Sequence, residues 1–413
     1  MGGLEKASSS WCQLKKNIYK DEVLNRRDEL VDLCAKLVSS PSITPPGDTR
    51  AVLDIAKNWL ETRGIICEVL YLSDQMPNLV ATIEGNKPGP RIILNGHLDT
   101  MSPMDESQWS VPIFELTKNN GRLYGLGMGN MKGGVAALCM AAFLASKRKE
   151  LLYGSVVLTL VSDEVRFGPH GSAHLIKSLP KVHGDAVISA EGAGWMSLAI
   201  AEKGVAWIDL VASGSTGHAS AAKTGETAVA KLSKAILELD KLNDLFVEPP
   251  TTLSNSFKIK NDPGFRIAAS TGIITAGDAR GLIAPQAEAK IDIRIPPGFS
   301  LSNLDTEIEK LLAGTGVTAS RVRGWEASWT SEDETIVKAI SSAIENVRGS
   351  VPVRTVRHPA SDVMRWREIG VPGVCFGPQP TFSAGIDDYA EADDVIDCAA
   401  VYFETIFRYS EKS

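Results

Sequence analysis

The sequence predicts an α/β protein: a catalytic domain built on a central mixed, largely parallel sheet flanked by helices, interrupted by an inserted α+β module. Three observations predict this. Apolar runs of strand length repeatedly end in polar groups: residues 91–95 run into Gly96-His97-Leu98-Asp99, residues 155–161 into Ser162-Asp163-Glu164, and residues 186–189 into Ala190-Glu191. Amphipathic helical stretches separate these runs, the alternation that makes parallel sheets. From about Lys203 the pattern changes to β-α-β-β-α, which closes as a unit of its own.

Taken in order, residues 1–19 form an N-terminal extension. They lack a basic stretch followed by an apolar one, and Lys6 stands where a myristoylation signal wants Ser or Thr. Val23, Leu24, Leu30, Val31, Leu33, Cys34 and Leu37 recur at helical spacing until Ser40-Pro-Ser-Ile-Thr-Pro-Pro-Gly47 breaks the pattern with turn chemistry. A second amphipathic helix carries Val52, Leu53, Ala56 and Leu60 and stops at Gly64; strands follow at 65–70 and 79–84. Residues 133–147 are small and apolar throughout, as in a helix buried against a sheet. Residues 205–211 alternate as a strand, 226–242 read as a helix, 271–275 and 287–295 as strands, and 301–313 as a helix. After Pro352 the chain returns to sheet-type material at Gly373-Val-Cys-Phe-Gly377 and ends on a helix. The expected division is 20–203 plus 321–413 for the catalytic domain and 204–320 for an inserted lid or dimerisation domain.

Composition excludes several function classes. Hydrophobic residues make up 44% and charged residues 23% of 413, an ordinary globular balance. A net charge of −7 and a pI near 5.5 provide no footprint for nucleic acid or an anionic membrane, which leaves small molecules as partners. The six cysteines are scattered without a C-x-x-C pair and read as reduced thiols of a cytoplasmic protein. No apolar run is expected to reach the roughly 20 residues of a membrane span.

Chemistry concentrates at the strand ends. His97 and Asp99 lie two apart, so in extended chain one faces a site while the other orients it from behind; a loop histidine beside a capping aspartate reads the same stretch equally well. Asp163 and Glu191 have equivalent plain readings as a turn cap and a loop carboxylate. The glycine run Gly125-Leu-Gly-Met-Gly-Asn-Met-Lys-Gly-Gly134 is not a phosphate loop, because it lacks G-x-x-x-x-G-K-[ST].

Together the pieces Gly96-His-Leu-Asp-Thr100, Trp109 to Phe114, Gly125 to Gly134 and Asp163-Glu164 with Gly168 and Gly171 resemble one family. It comprises the zinc aminoacylases, acetylornithine deacetylases, succinyl-diaminopimelate desuccinylases and glutamate carboxypeptidases. The resemblance continues through Glu191, Gly217-His-Ala-Ser220, Asp292-Ile-Arg-Ile-Pro-Pro-Gly298, Ser361-Asp362 and Phe376-Gly-Pro378. It implies an α/β domain interrupted by a lid used for dimerisation, and two zinc ions sharing a carboxylate while a glutamate activates water. By position, His97 and Glu191 match ligands of one zinc, Asp99 the residue orienting His97, and Glu164 the general base. His218 matches the lid histidine that polarises the substrate carbonyl, and Arg294 lies in the matching lid stretch.

The chain also departs from that pattern. Asn130 stands where the family has the bridging aspartate, Val165 where a glutamate follows the base, and Ala384 near the place of a late histidine; Leu282 replaces a lid asparagine. Val and Ala cannot bind zinc, and an amide is a poor ligand. The expectation is therefore a degraded metal site with no cofactor, a single zinc on His97 and Glu191 being the alternative. Asp387, Asp388 or Glu391 are the residues that would have to replace a lost ligand. Catalysis is expected from Glu164, His218 and Asp99, and substrate contacts from Arg294, Arg280, Asn130 and His358. The expected function is acid/base chemistry on a small amino-acid-derived metabolite: cyclisation, isomerisation or making or breaking a C–N bond. A single-metal amidohydrolase and a non-catalytic relative are the alternatives.

Overall fold

The computed structural model describes residues 17–380 and 385–411; most of the N-terminal extension, and Ala384, lie outside the described residues. The large sheet has nine strands: β1 (Cys67–Tyr71), β2 (Pro77–Glu84), β3 (Lys87–His97), β6 (Tyr153–Val161), β7 (Ala186–Ser189), β8 (Leu198–Glu202), β15 (Ser328–Trp329), β16 (Arg354–Arg357) and β17 (Gly373–Cys375). Their order is β1-β2-β6-β3-β7-β17-β8-β15, with β16 also on β8. The middle four, β6-β3-β7-β17, run parallel, and their central runs 92–94, 156–158 and 186–188 are apolar and buried, as in strands covered on both faces. Their carboxyl ends therefore lie along one edge, and this edge holds His97, Glu164 and Glu191.

One face of the sheet is covered by the helix Gly133–Ser146, buried from Gly133 to Ala145. Its small residues let it come close: a side chain at Gly134 would put its Cβ 2.6 Å from the carbonyl oxygen of Ala190, one residue before Glu191. The stretch Met128–Ser146 is long and apolar enough to cross a membrane by length and composition, contrary to the expectation from sequence. It is wholly buried among the sheet and the helices Arg27–Val38 and Ala392–Glu411, and being covered on every side is what makes it uniformly apolar.

The insertion carries a four-stranded antiparallel sheet, β9 (Gly204–Ser213), β11 (Ala268–Ala276), β13 (Gln286–Ile295) and β14 (Val317–Trp325), ordered β11-β13-β9-β14. The helices Ala228–Asp240 and Leu301–Leu312 cover one face over a separate core that includes Leu232, Ile291 and Leu304. This sheet runs past residue 320 to Trp325, whereas Leu253, Phe257 and Phe265, inside the insertion by sequence, pack into the large core. Two small sheets complete the set: β10 (Gly217–His218) with β12 (Leu282–Ile283), and β4 (Thr117–Asn119), β5 (Arg122–Tyr124) and β18 (Tyr389–Glu391).

Candidate active site

His97 is the last residue of β3 and is buried, 1% exposed. Its Nδ1 lies 2.9 Å from the backbone oxygen of Asp99 and its Nε2 3.1 Å from Asn130 Oδ1. Asn130 reaches it because the chain leaves helical geometry there (φ −130°, ψ 93°) just before the buried helix starts. Two carboxylates face the same Nε2: Glu164 Oε2 at 3.6 Å, from the turn after β6, and Glu191 Oε1 at 3.8 Å, from the turn after β7.

Asp99 acts differently from the expectation. Its backbone oxygen orients the ring, while its carboxylate, 3.6 Å from Nδ1, accepts hydrogen bonds from the backbone N–H groups of Glu164 (3.2 Å) and Val165 (3.1 Å). It thus ties the turn after β6 to the turn after β3. The same turn is fixed from its other side: Asp163 sits at φ 60° and its carboxylate accepts from the backbone and ring of His170. A Cβ at Gly168 would fall 1.8 Å from Asp163 Oδ2, so only glycine fits.

Sequence reasoning missed Arg357, the last residue of β16. It is 4% exposed and grips Glu191 with both amino groups, Nη2 to Oε1 at 2.7 Å and Nη1 to Oε2 at 3.2 Å. β16 runs opposite to the four central strands, being parallel to β8, which is antiparallel to β17. A search for residues just past the ends of parallel strands therefore passes over it; no other signal in the sequence marked it.

The surroundings push the two glutamates apart. Burial, the Glu191 charge and then Asp362 raise the Glu164 carboxyl well above the usual range, against the pull of His97. For Glu191 burial acts in the same direction, but the Arg357 guanidinium and His97 outweigh it and hold its carboxyl low. Burial opposes a charge on His97, yet Glu164, Glu191 and Asp99 together hold its imidazole well above its ordinary value.

The other candidates lie elsewhere. His218 is exposed in the short antiparallel β10–β12 ladder, its Nδ1 2.8 Å from Ser220 Oγ, directly across from Leu282. Arg294 pairs with Asp292 in β13, with Nε 2.6 Å from Oδ1, and Arg280 is on the exposed turn between β11 and β12. His358 lines a cleft of about 820 Å³ beside the Gly192–Gly194 turn, with Phe257, Ile259, Val353 and Gln379 among its walls. The candidate replacement ligands are engaged elsewhere: Asp387 accepts from Ser110, Asp388 from the amides of Gly127 and Gly129, and Glu391 pairs with Arg122.

Among the described residues, and with positions taken from the family resemblance, this donor set lacks the carboxylates a metal pair would use. The bridging position is the neutral Asn130 and the next ligand position is the apolar Val165; the third, Ala384, lies outside the described residues. It does fit one ion by position, because donor atoms of His97, Glu164 and Glu191 all lie within 4.8 Å of one another. An ion there would use the carboxylate that Arg357 already holds, and would take Glu164 away from proton transfer. When bound, such an ion supplies Lewis-acid polarisation and an acidified water.

Comparison with known proteins agrees with the fold. The chain is 28% identical over 394 residues to a succinyl-diaminopimelate desuccinylase of Xanthobacter autotrophicus, covering 91% of this chain and 98% of the relative. It is 29% identical over 293 residues to an acetylornithine deacetylase of Proteus mirabilis, covering 68% and 71%. Among solved structures it resembles human carnosine dipeptidase 1 (TM-score 0.74, 15% identity, 95% and 98% covered). It also resembles an M20 family metallo-carboxypeptidase from Sulfolobus solfataricus (TM-score 0.73, 20% identity, 93% and 100% covered). The fold is thus that of an enzyme of the peptidase and deacylase type. Because residues 93–408 match the model of Peptidase family M20/M25/M40, the chain belongs to that family.

Proposed function

We propose that the protein makes or breaks an amide-type C–N bond in a small, amino-acid-derived compound, and does so without a metal pair. The observation that carries this is the placement of Glu164: buried, 3.6 Å from His97 Nε2, on a turn held by Asp99, with Val165 and Asn130 where a second ion would need carboxylates. In this reading the Glu164 carboxylate takes a proton on Oε2 from the attacking group, holds it as the neutral acid, and returns it to the leaving nitrogen, with His97 Nε2 stabilising the carboxylate before the first transfer and after the second. The same acid/base pair would serve a cyclisation or an isomerisation.

The relatives' names, a deacetylase and a desuccinylase, support an N-acylated amino acid as the substrate class. The apolar walls of the cleft beside Gly192 suit its acyl part. His218 would contribute from the lid of a homodimer, for which exposed Ile273, Ile274 and Leu282 on the lid strands offer an apolar surface. A cytoplasmic setting is in keeping with five free cysteines among the described residues.

The test is a screen of N-acyl amino acids and dipeptides with protein stripped by chelator, repeated with Glu164→Gln. Turnover that survives stripping and is lost in the variant is the expected result; turnover that needs added metal would reject it. The clustering of His97, Glu164 and Glu191 donors favours one second reading, a single-metal amidohydrolase. About one zinc per chain, lost on His97→Ala, would support that instead.

A further inference from the structure

The side chains around His97 follow one electrostatic rule. At two positions where metal-binding relatives need a carboxylate, this chain carries none: Asn130 is neutral and Val165 apolar. At the third, the Glu191 carboxylate, a cation is already in place: the Arg357 guanidinium. Arg357 and Glu191 are 4% and 2% exposed, so neither charge is screened by water. All three guanidinium nitrogens are engaged: besides its fork on Glu191, Nη1 donates to the oxygen of Ala360 at 2.6 Å and Nε to that of Gly192 at 3.2 Å. Planar, bidentate pairing of this kind is what Arg does and a point charge does not.

We propose that Arg357 is the resident counter-cation of Glu191, supplying the positive charge that a divalent ion supplies elsewhere and keeping such an ion off this carboxylate. Arg357 is a positioning residue: it acts through Glu191, which it locks as the fixed negative wall behind His97. The proposal rests on the metal-independent reading and extends it to a named side chain.

The experiment measures zinc affinity of the full chain by competition with a chromogenic chelator, for the natural protein and for Arg357→Met, Arg357→Lys, Glu191→Gln and the Arg357→Met/Glu191→Gln double variant. Freeing Glu191 in Arg357→Met is expected to tighten zinc binding by about 10–100-fold, the usual scale for partners of metal ligands. Arg357→Lys, which keeps the charge but not the fork, should gain much less than Arg357→Met, and the double variant should lose the gain. Glu191→Gln alone should leave zinc affinity unchanged, since the carboxylate it removes is not available to metal. If Arg357→Met does not fold, that last comparison still decides the question. Zinc binding in the natural protein that collapses in Glu191→Gln would overturn the proposal, as would an Arg357→Met variant that gains nothing or a lysine variant that gains as much. Chelator-resistant turnover with no zinc gain in Arg357→Met would sink the Arg357 assignment alone. Turnover abolished by chelation would remove the reading beneath it, and this proposal too.

Discussion

The carboxyl ends of β6 and β7 each bring a buried glutamate to the same imidazole nitrogen, at 3.6 Å and 3.8 Å, and shift their two carboxyls in opposite directions. Glu191 has a guanidinium fork beneath it and stays ionised; Glu164 has Val165 beside it, backbone ties from Asp99 behind it, and a raised carboxyl. Proximity to His97 therefore does not assign a role. What differs is the partner on the far side: a carboxylate locked by Arg can hold a charge in place but cannot trade protons near neutral pH, whereas one that lacks such a partner can.

The comparison breaks most sharply if both glutamates behave alike on neutralisation. Glu164→Gln is expected to lower kcat/KM by about 10²–10⁴-fold, the usual worth of a general acid/base. Thermal stability should hold or rise, because glutamine keeps the size of the side chain and removes a carboxyl whose charged form the site disfavours. Steady-state kinetics beside a melting curve checks this, and equal losses in both would mean that Glu164 is structural. On the β7 side the cost should fall on the fold. Arg357→Met strands Glu191 without its cation, for an expected loss of about 3–5 kcal/mol in denaturant unfolding, much of it regained by adding Glu191→Gln. Failure of the second substitution to rescue would show that the backbone bonds to Gly192 and Ala360, not the charge pair, carry the stability.

How much of this was legible follows from the same two strand ends. A buried parallel strand is a continuous apolar run, and a run that stops at His97, Glu164 or Glu191 advertises a site edge, so the catalytic fold and its first residues could be read directly. Arg357 could not, because it arrives from a strand running the other way and its partner lies 166 residues earlier in the chain. The carboxylate of Asp99 was also misjudged: its backbone amide contacts form only when two strand ends meet in space. Asp388 looked like a spare ligand, yet its oxygens are used by the amides of Gly127 and Gly129, a tertiary contact that spacing cannot reveal.

Asp362 offers a graded way to sharpen the contrast, since it adds to the field on Glu164. It is 3% exposed, its Oδ2 has no hydrogen-bond partner among the described residues, and burial pushes its carboxyl up to about 6. The folded chain therefore holds this proton more tightly than the unfolded one, whose carboxyl titrates near 3.9. Stability from this group is present below about pH 4 and is lost as pH rises toward about 6, where it levels off. Asp362→Asn should remove that fall and leave the variant about 1–3 kcal/mol more stable at pH 7 relative to its standing at pH 4. Urea titrations of both proteins at several pH values would check this, and parallel curves would refute it.

The smallest expected effect concerns the inserted sheet, whose strand β14 meets the turn after Glu164. Arg323 of β14 lies 5.2 Å and 5.3 Å from the ring centres of Trp207 and Trp325, and its Nη2 donates to the backbone oxygen of Phe167 at 3.0 Å, three residues after Glu164. The ring of Phe167 also meets Trp325, at 5.3 Å between centres. Being exposed, these contacts are weak, with cation–π pairs worth about 0.5–1 kcal/mol each. Arg323→Ala should therefore lower stability by no more than about 1 kcal/mol. Because the contact reaches the Glu164 turn, the variant should still lower kcat while leaving the ionised, Arg357-bound Glu191 side untouched. Zinc affinity measured in the same variant separates the two turns: it should match the natural protein, and a change would mean that the lid reaches Glu191 as well.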